Sequence, residues 1–140
     1  MRRKFVASTK KKNRMSTKTQ KIIGWVLTGL IALAFIGSAS MKLAGGTGAE
    51  EASEAMGLTA ETIKLIAFVE LISVALFIVP RTGLLGTLLL AAYLGGAIAT
   101  HLEHQQPFFA PVILQGLVWI AAVLRFPELS RRFLGTKELA

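Results

Sequence analysis

The sequence predicts an all-α protein built as an antiparallel bundle of four transmembrane helices, and three observations predict it. Hydrophobic residues make up 53% of the 140-residue chain and charged residues only 17%, which is more apolar than a water-soluble domain of this size. The apolar residues gather into four runs, each close to the ~20 residues with which a helix crosses a bilayer core. Finally, the basic residues fall where four crossings would put them on one side of the membrane. With this length and no break in composition, a single domain is expected.

Residues 1–20 form a basic segment. Arg2, Arg3, Lys4, Lys10, Lys11, Lys12, Arg14 and Lys18 precede the first apolar run together with Lys21, and no acid lies among them. Few apolar residues accompany the charge, so the segment is expected to be a disordered cytoplasmic tail. Nucleic acid and an anionic membrane surface are other uses for such a tail, but no nucleic-acid-binding motif goes with it. A topology signal is the simplest reading, and nucleic acid is not expected as a partner. Met15 opens MSTKTQKIIGW, a second candidate start.

The membrane domain is expected over residues 21–126. Its first span, 22–41, reads IIGWVLTGLIALAFIGSASM, with Trp25 near the inner interface and Lys42 at the outer one, where its ammonium can snorkel to headgroups. Ser38-Ala39-Ser40 resembles a signal-peptide cleavage site, but the apolar run is longer than a signal core, so a retained span is expected. Next, the glycines of LAGGTGAEEASEAMGL break the helix and Glu50, Glu51 and Glu54 mark an aqueous loop. The second span covers 59–79. Thr59 serves as its N-cap without a full capping box, because Thr62 holds the place of the acid, and Pro80 ends it.

Only Pro80 and Arg81 separate that span from the third, 82–101, so the two should form a tight antiparallel hairpin. The fourth span, 107–126, follows the polar turn HLEHQQ; Pro107 suits a first helical turn and Pro111 lies early enough to be tolerated. Residues 127–140 read as a short polar cytoplasmic tail. Both termini then lie inside, with Arg81, Arg125, Arg131, Arg132 and Lys137, while Lys42 and Lys64 lie outside among Glu50, Glu51, Glu54, Glu61 and Glu103. That distribution predicts a multi-pass protein of the cytoplasmic (inner) membrane, with the lipid bilayer as its first partner.

Cysteine is absent, which excludes disulfides, thiolate metal sites and thiol redox relays within the chain. No nucleophile triad, phosphate loop or dinucleotide fingerprint is present. The chain thus holds no self-contained catalytic constellation, and electrons, if it handles them, must reside on a bound cofactor or a partner.

The polar groups inside the spans are therefore the informative ones. Glu70 sits in LIAFVELISVALFIVP, where an unpaired charge costs several kcal/mol, so it needs a partner, a proton or a function. Counting about 1.5 Å per residue puts Glu70, Tyr93 and Gln115, on three different helices, near mid-membrane. Lys42, Thr100 and His101 lie closer to the outer surface, about two turns above. A polar track from outside to Glu70 results, and these six residues are candidates for ligand binding or proton exchange. Interhelical hydrogen bonding from Glu70 to Tyr93 or Gln115 would explain the carboxylate equally well. Gly83, Thr87, Ala91, Gly95 and Ala99 recur every four residues and form a helix-packing stripe. His101 and His104 lack a third placed ligand, so no metal site is expected.

GSASMKL at the end of the first span, the second span IAFVELISVALFIVPR and the third span TGLLGTLLLAAYLGGAIATHL together resemble the DoxX-like family of small four-helix membrane proteins. The likeness extends from Gln20 to Phe126. Its pattern is a lysine closing helix one, a glutamate in helix two and a Gly/Ala-rich helix three ending in histidine, matched here by Lys42, Glu70 and His101. The resemblance implies a four-helix membrane bundle. It also implies a redox association, since relatives include a subunit of a thiosulfate:quinone oxidoreductase. On that basis the chain is expected to be an accessory subunit of a membrane oxidoreductase, with a quinone as non-covalent ligand and a redox enzyme or a second copy of itself as partner. The alternatives are a proton-coupled small-molecule transporter and a structural membrane partner without a ligand.

Overall fold

Backbone chemistry sets where each helix starts and stops. In the computed structural model, which describes residues 16–135, α1 (Thr17–Ala44) begins at Ser16, whose Oγ accepts the Lys18 N–H. It stops where Gly45 and Gly46 take φ angles of 68° and 115°, conformations that cost glycine little. Then come α2 (Thr47–Ala55) and α3 (Ala60–Ile78). Thr59 Oγ1 accepts the Thr62 N–H at 3.2 Å, and the two threonine hydroxyls pair at 2.8 Å in place of a capping-box acid. Beyond Pro80, α4 (Gly83–Glu103) runs back along α3. In α5 (Phe109–Arg125), Pro111 lies in the first turn, where a missing N–H breaks no helical bond.

Two segments differ from expectation. The acidic stretch after α1 is not a loop: only its flanking glycines break the chain, and the Ala- and Glu-rich residues between them are good helix formers that fold as α2. The residues after Phe126 are not simply a polar tail either. Pro127 starts α6 (Pro127–Leu134), Arg131 and Arg132 occupy its last turn, and Gly135 closes it in the left-handed conformation. Lys18, from the end of the basic segment, belongs to α1, as does Lys21. Residues 1–15, where the disordered tail and the Met15 start were expected, lie outside the described residues, as does Lys137.

Helices α1 and α4 each pack on both α3 and α5, so the four long helices close a ring. Neighbours in the ring are antiparallel. The start of α1 meets the end of α5 at Gly24 and Arg125, and the end of α3 meets the start of α4 at Phe77 and Gly86. Gly86 makes that second approach feasible, because a Cβ there would collide with the backbone of Leu76 and Phe77. Inside the ring, Ile31, Phe35, Val74, Phe77, Leu90 and Val118 form the core. The Thr28, Ser73 and Thr87 hydroxyls each donate to the carbonyl four residues back, so each spends its proton within its own helix.

Outside the ring the surface is also apolar: Leu33 on α1, Leu65, Phe68 and Ile72 on α3, Leu88 on α4 and Ile113 on α5 are all exposed. Such a belt is costly in water and natural in hydrocarbon. α1 and α4 are each long and apolar enough to cross a membrane, and α5 with α6, bent by 108°, makes a third crossing if the pair is taken together. α5 alone has 17 residues, and α3 carries Glu61, Lys64 and Glu70.

Charge is divided between the ends of the bundle. Lys18, Lys21, Arg81, Arg125, Arg131 and Arg132 lie at the end where α1 begins; Glu50, Glu51, Glu54, Glu61 and Glu103 lie at the other.

Candidate functional site

At the acidic end a cavity of about 650 Å³ opens between α1, α3, α4, the first turn of α5 and the inner face of α2. That volume falls within the range of small-molecule sites. Its walls are largely apolar, with Phe35, Ile66, Leu94 and Leu114 among them. α2 contributes small residues, Gly48, Ala49 and Ala52, while Glu50, Glu51 and Glu54 are exposed.

One charged cluster lines this cavity. Lys42 Nζ donates to Glu70 Oε2 at 2.6 Å, to Ser38 Oγ at 2.7 Å and to the Tyr93 hydroxyl at 3.2 Å. All three ammonium protons are thereby used. The Glu70 side chain is 2% exposed and that of Lys42 22%, so the carboxylate is the buried member and the ammonium lies nearer the cavity. Lys42 therefore turns inward instead of snorkelling to headgroups, and it supplies the partner that Glu70 requires. Tyr93 accepts from Lys42 and keeps its own proton to donate; its ring is fixed edge-on to Phe35 at 5.9 Å.

His101 and Thr100 line the cavity further along α4. His101 Nδ1 lies 2.7 Å from the Ala97 carbonyl oxygen, which can only accept. Nδ1 therefore carries the proton, and in the neutral ring Nε2 is left as an acceptor. Thr100 Oγ1 donates to the Gly96 carbonyl at 3.0 Å. His104 sends Nδ1 to the Thr100 carbonyl at 3.0 Å, and its Nε2 faces Gly57 in the α2–α3 turn.

Of the six candidate residues, the cavity gathers Lys42, Glu70, Tyr93, Thr100 and His101 and leaves out Gln115, whose Oε1 is buried with no hydrogen-bond partner. In the small-residue stripe, Gly83 and Thr87 are buried, Ala91 is half-buried, and Gly95 and Ala99 face outward. The buried face of α4 instead continues from Gly83 through Gly86, Thr87, Leu90 and Leu94. Ser38, noted in the sequence only as part of a cleavage-like tripeptide, joins the cluster because it lies one helical turn before Lys42.

Arg125, one of the basic residues expected on the cytoplasmic side, does more than mark topology. Nη1 donates to the Phe77 carbonyl at 2.9 Å and to Thr28 Oγ1 at 3.1 Å, and Nη2 donates to the Ile78 carbonyl at 3.0 Å. Thr82 Oγ1 donates to the Leu76 carbonyl at 2.9 Å. Together they satisfy the carbonyls that α3 leaves open where Pro80 ends it. The Trp25, Phe77 and Phe126 rings lie 4.2, 5.1 and 5.0 Å from the guanidinium carbon, which lets a buried cation rest on π faces.

A model of the DoxX-like family matches residues 26–124, a stretch that contains the whole Lys42–Glu70–Tyr93 cluster and His101. No curated protein and no solved structure matches the chain.

Proposed function

This chain belongs to the DoxX-like family, and on that premise we propose that it binds a quinone, or a lipophile with a similar head group, as an accessory subunit of a membrane redox enzyme. Family membership and the apolar helices make it a membrane protein. In this reading all four long helices span the cytoplasmic membrane. Support comes from the apolar outer face of α3, whose Glu61 and Lys64 lie in its first turns, and from the turn of α6 away from α5. Both termini are then cytoplasmic, in keeping with the basic end of the bundle.

One observation carries the ligand assignment: a mostly apolar cavity of about 650 Å³ with a single charged cluster, Lys42–Glu70–Tyr93, in its wall. Apolar walls suit a lipophilic ring and tail, and a few convergent polar groups suit its carbonyl oxygens. A bound quinone accepts two electrons and two protons in becoming a quinol, the electrons here coming from the partner enzyme. Within this chain, Glu70 fixes the Lys42 ammonium in the cavity wall, where it places positive charge beside a ligand oxygen. The Tyr93 hydroxyl offers a hydrogen-bond donor, and His101 Nε2, nearer the outer end, is placed to accept a proton from that side. Proton-coupled transport has less support, because Glu70 already has a fixed counter-ion in Lys42 and offers no net charge for a cationic substrate.

Thermal unfolding of the purified protein with and without decylubiquinone tests this reading. Decylubiquinone is expected to raise the melting temperature of the wild type and to do so much less for Glu70→Gln, a variant that should still insert and fold. No protection of the wild type, or equal protection of both, overturns it.

A further inference from the structure

At the opposite end of the bundle, α1, α5 and α6 enclose a second recess of about 260 Å³. Gly24 makes it feasible: a Cβ there would lie 2.9 Å from Arg125 Cγ and 3.1 Å from Leu124 Cβ, so the bare glycine lets α1 come close to α5. That approach gathers Lys21 of α1, Arg125 of α5 and Arg131 of α6 around one space, with the Thr17 and Ser130 hydroxyls and Gln20 between them. Among the described residues no acid lines the recess; Glu128, in the first turn of α6, stands outside it. Arg125 hydrogen-bonds only neutral oxygens, so its charge is not cancelled by them.

The setting indicates which anion fits. α6 leaves α5 at 108° and so lies across the bundle axis, the posture of an interfacial helix. Leu129 packs on the core and the Phe133 ring meets Trp119 of α5 at 5.9 Å; Arg131 and Arg132 sit in the last turn. The recess therefore lies at headgroup depth. Val123 and Leu124 form its apolar side, and one turn along α5 Ile120 is exposed, so an acyl chain can continue from the recess along the bundle's flank. The chain entering α1 carries seven basic residues and no acid in its first fifteen positions, a juxtamembrane charge that favours an anionic leaflet.

We propose that this recess binds the phosphodiester headgroup of an anionic phospholipid, with Lys21 and Arg131 as the cations nearest the phosphate and Arg125 as fixed charge behind them. The site is independent of the cavity at the other end. Its occupant joins α1 to the α5–α6 elbow and holds α6 at the interface.

The test is a titration of the purified full-length chain in detergent, read by native mass spectrometry and by melting temperature. The probes are dihexanoylphosphatidylglycerol, dihexanoylphosphatidylcholine and inorganic phosphate. Phosphatidylglycerol is expected to bind and stabilise, and phosphatidylcholine to do neither. Lys21→Gln with Arg131→Gln should weaken phosphatidylglycerol binding roughly fivefold for each cation removed. Arg132→Gln, the same charge loss just outside the recess, should leave it close to wild type. If the double variant does not fold, Lys21→Gln alone carries the comparison. Equal binding of the two lipids, equal loss in Arg132→Gln, or stabilisation by inorganic phosphate matching that by the lipid overturns the proposal.

Discussion

Replacing Lys42 by methionine removes the counter-ion of a carboxylate that is 2% exposed and bonded to it at 2.6 Å. Breaking a buried pair by deleting one partner costs about 3–5 kcal/mol, because the remaining charge keeps its desolvation penalty and loses its compensation. The reverse deletion, Glu70→Gln, should cost less, about 1–2 kcal/mol. Lys42 is 22% exposed and keeps Ser38 and Tyr93 as acceptors. With both changes no uncompensated charge remains, and the double variant should lie about 2–3 kcal/mol below wild type, milder than Lys42→Met alone. The cycle then yields a coupling energy of about 2–4 kcal/mol. Reversible unfolding in mixed micelles, followed by helicity and by Trp25 and Trp119 fluorescence, measures all four corners. Additive costs, or a Lys42→Met cost under about 1 kcal/mol, would refute the argument that this pair is desolvated and mutually dependent.

Other consequences follow from single contacts. Arg125→Lys should cost about 2–4 kcal/mol in the same assay, because an ammonium cannot reach the Phe77 and Ile78 carbonyls together or stack on Trp25; a near-neutral result would remove its role in closing α3. Gly86→Ala should destabilise by about 1–3 kcal/mol through collision with the α3 backbone, whereas Gly95→Ala, with open space around it, should stay within about 0.5 kcal/mol. Ala97→Phe places a ring in the cavity wall and should abolish protection by decylubiquinone while the ligand-free unfolding curve stays near wild type; retained protection would put the ligand elsewhere.

The long helices were legible because hydropathy, caps and proline act locally. Thr59, Pro80 and the apolar runs each mark a boundary through the residue's own backbone chemistry. α2 and α6 were harder, since short polar helices resemble loops in hydropathy. Their signals were still present: helix-forming Ala and Glu between the glycines of α2, and Pro127 followed by Arg131, Arg132 and Gly135 in α6.

What the sequence determined by itself was the four long helices, their membrane character, the division of charge between the two ends, and the need of Glu70 for a partner. Only the tertiary structure decided which partner it has. Counting residues along separate helices fixes neither their axial offset nor their rotation, so Gln115 fell at the same expected depth as Tyr93 and yet lies outside the cavity. Lys42 reaches Glu70 because α1 continues to Ala44 and presents Ser38 and Lys42 on the face toward α3 and α4. The same limit applied to Arg125 and Gly24, whose meeting depends on the distance between two helices far apart in sequence, a quantity no local pattern encodes.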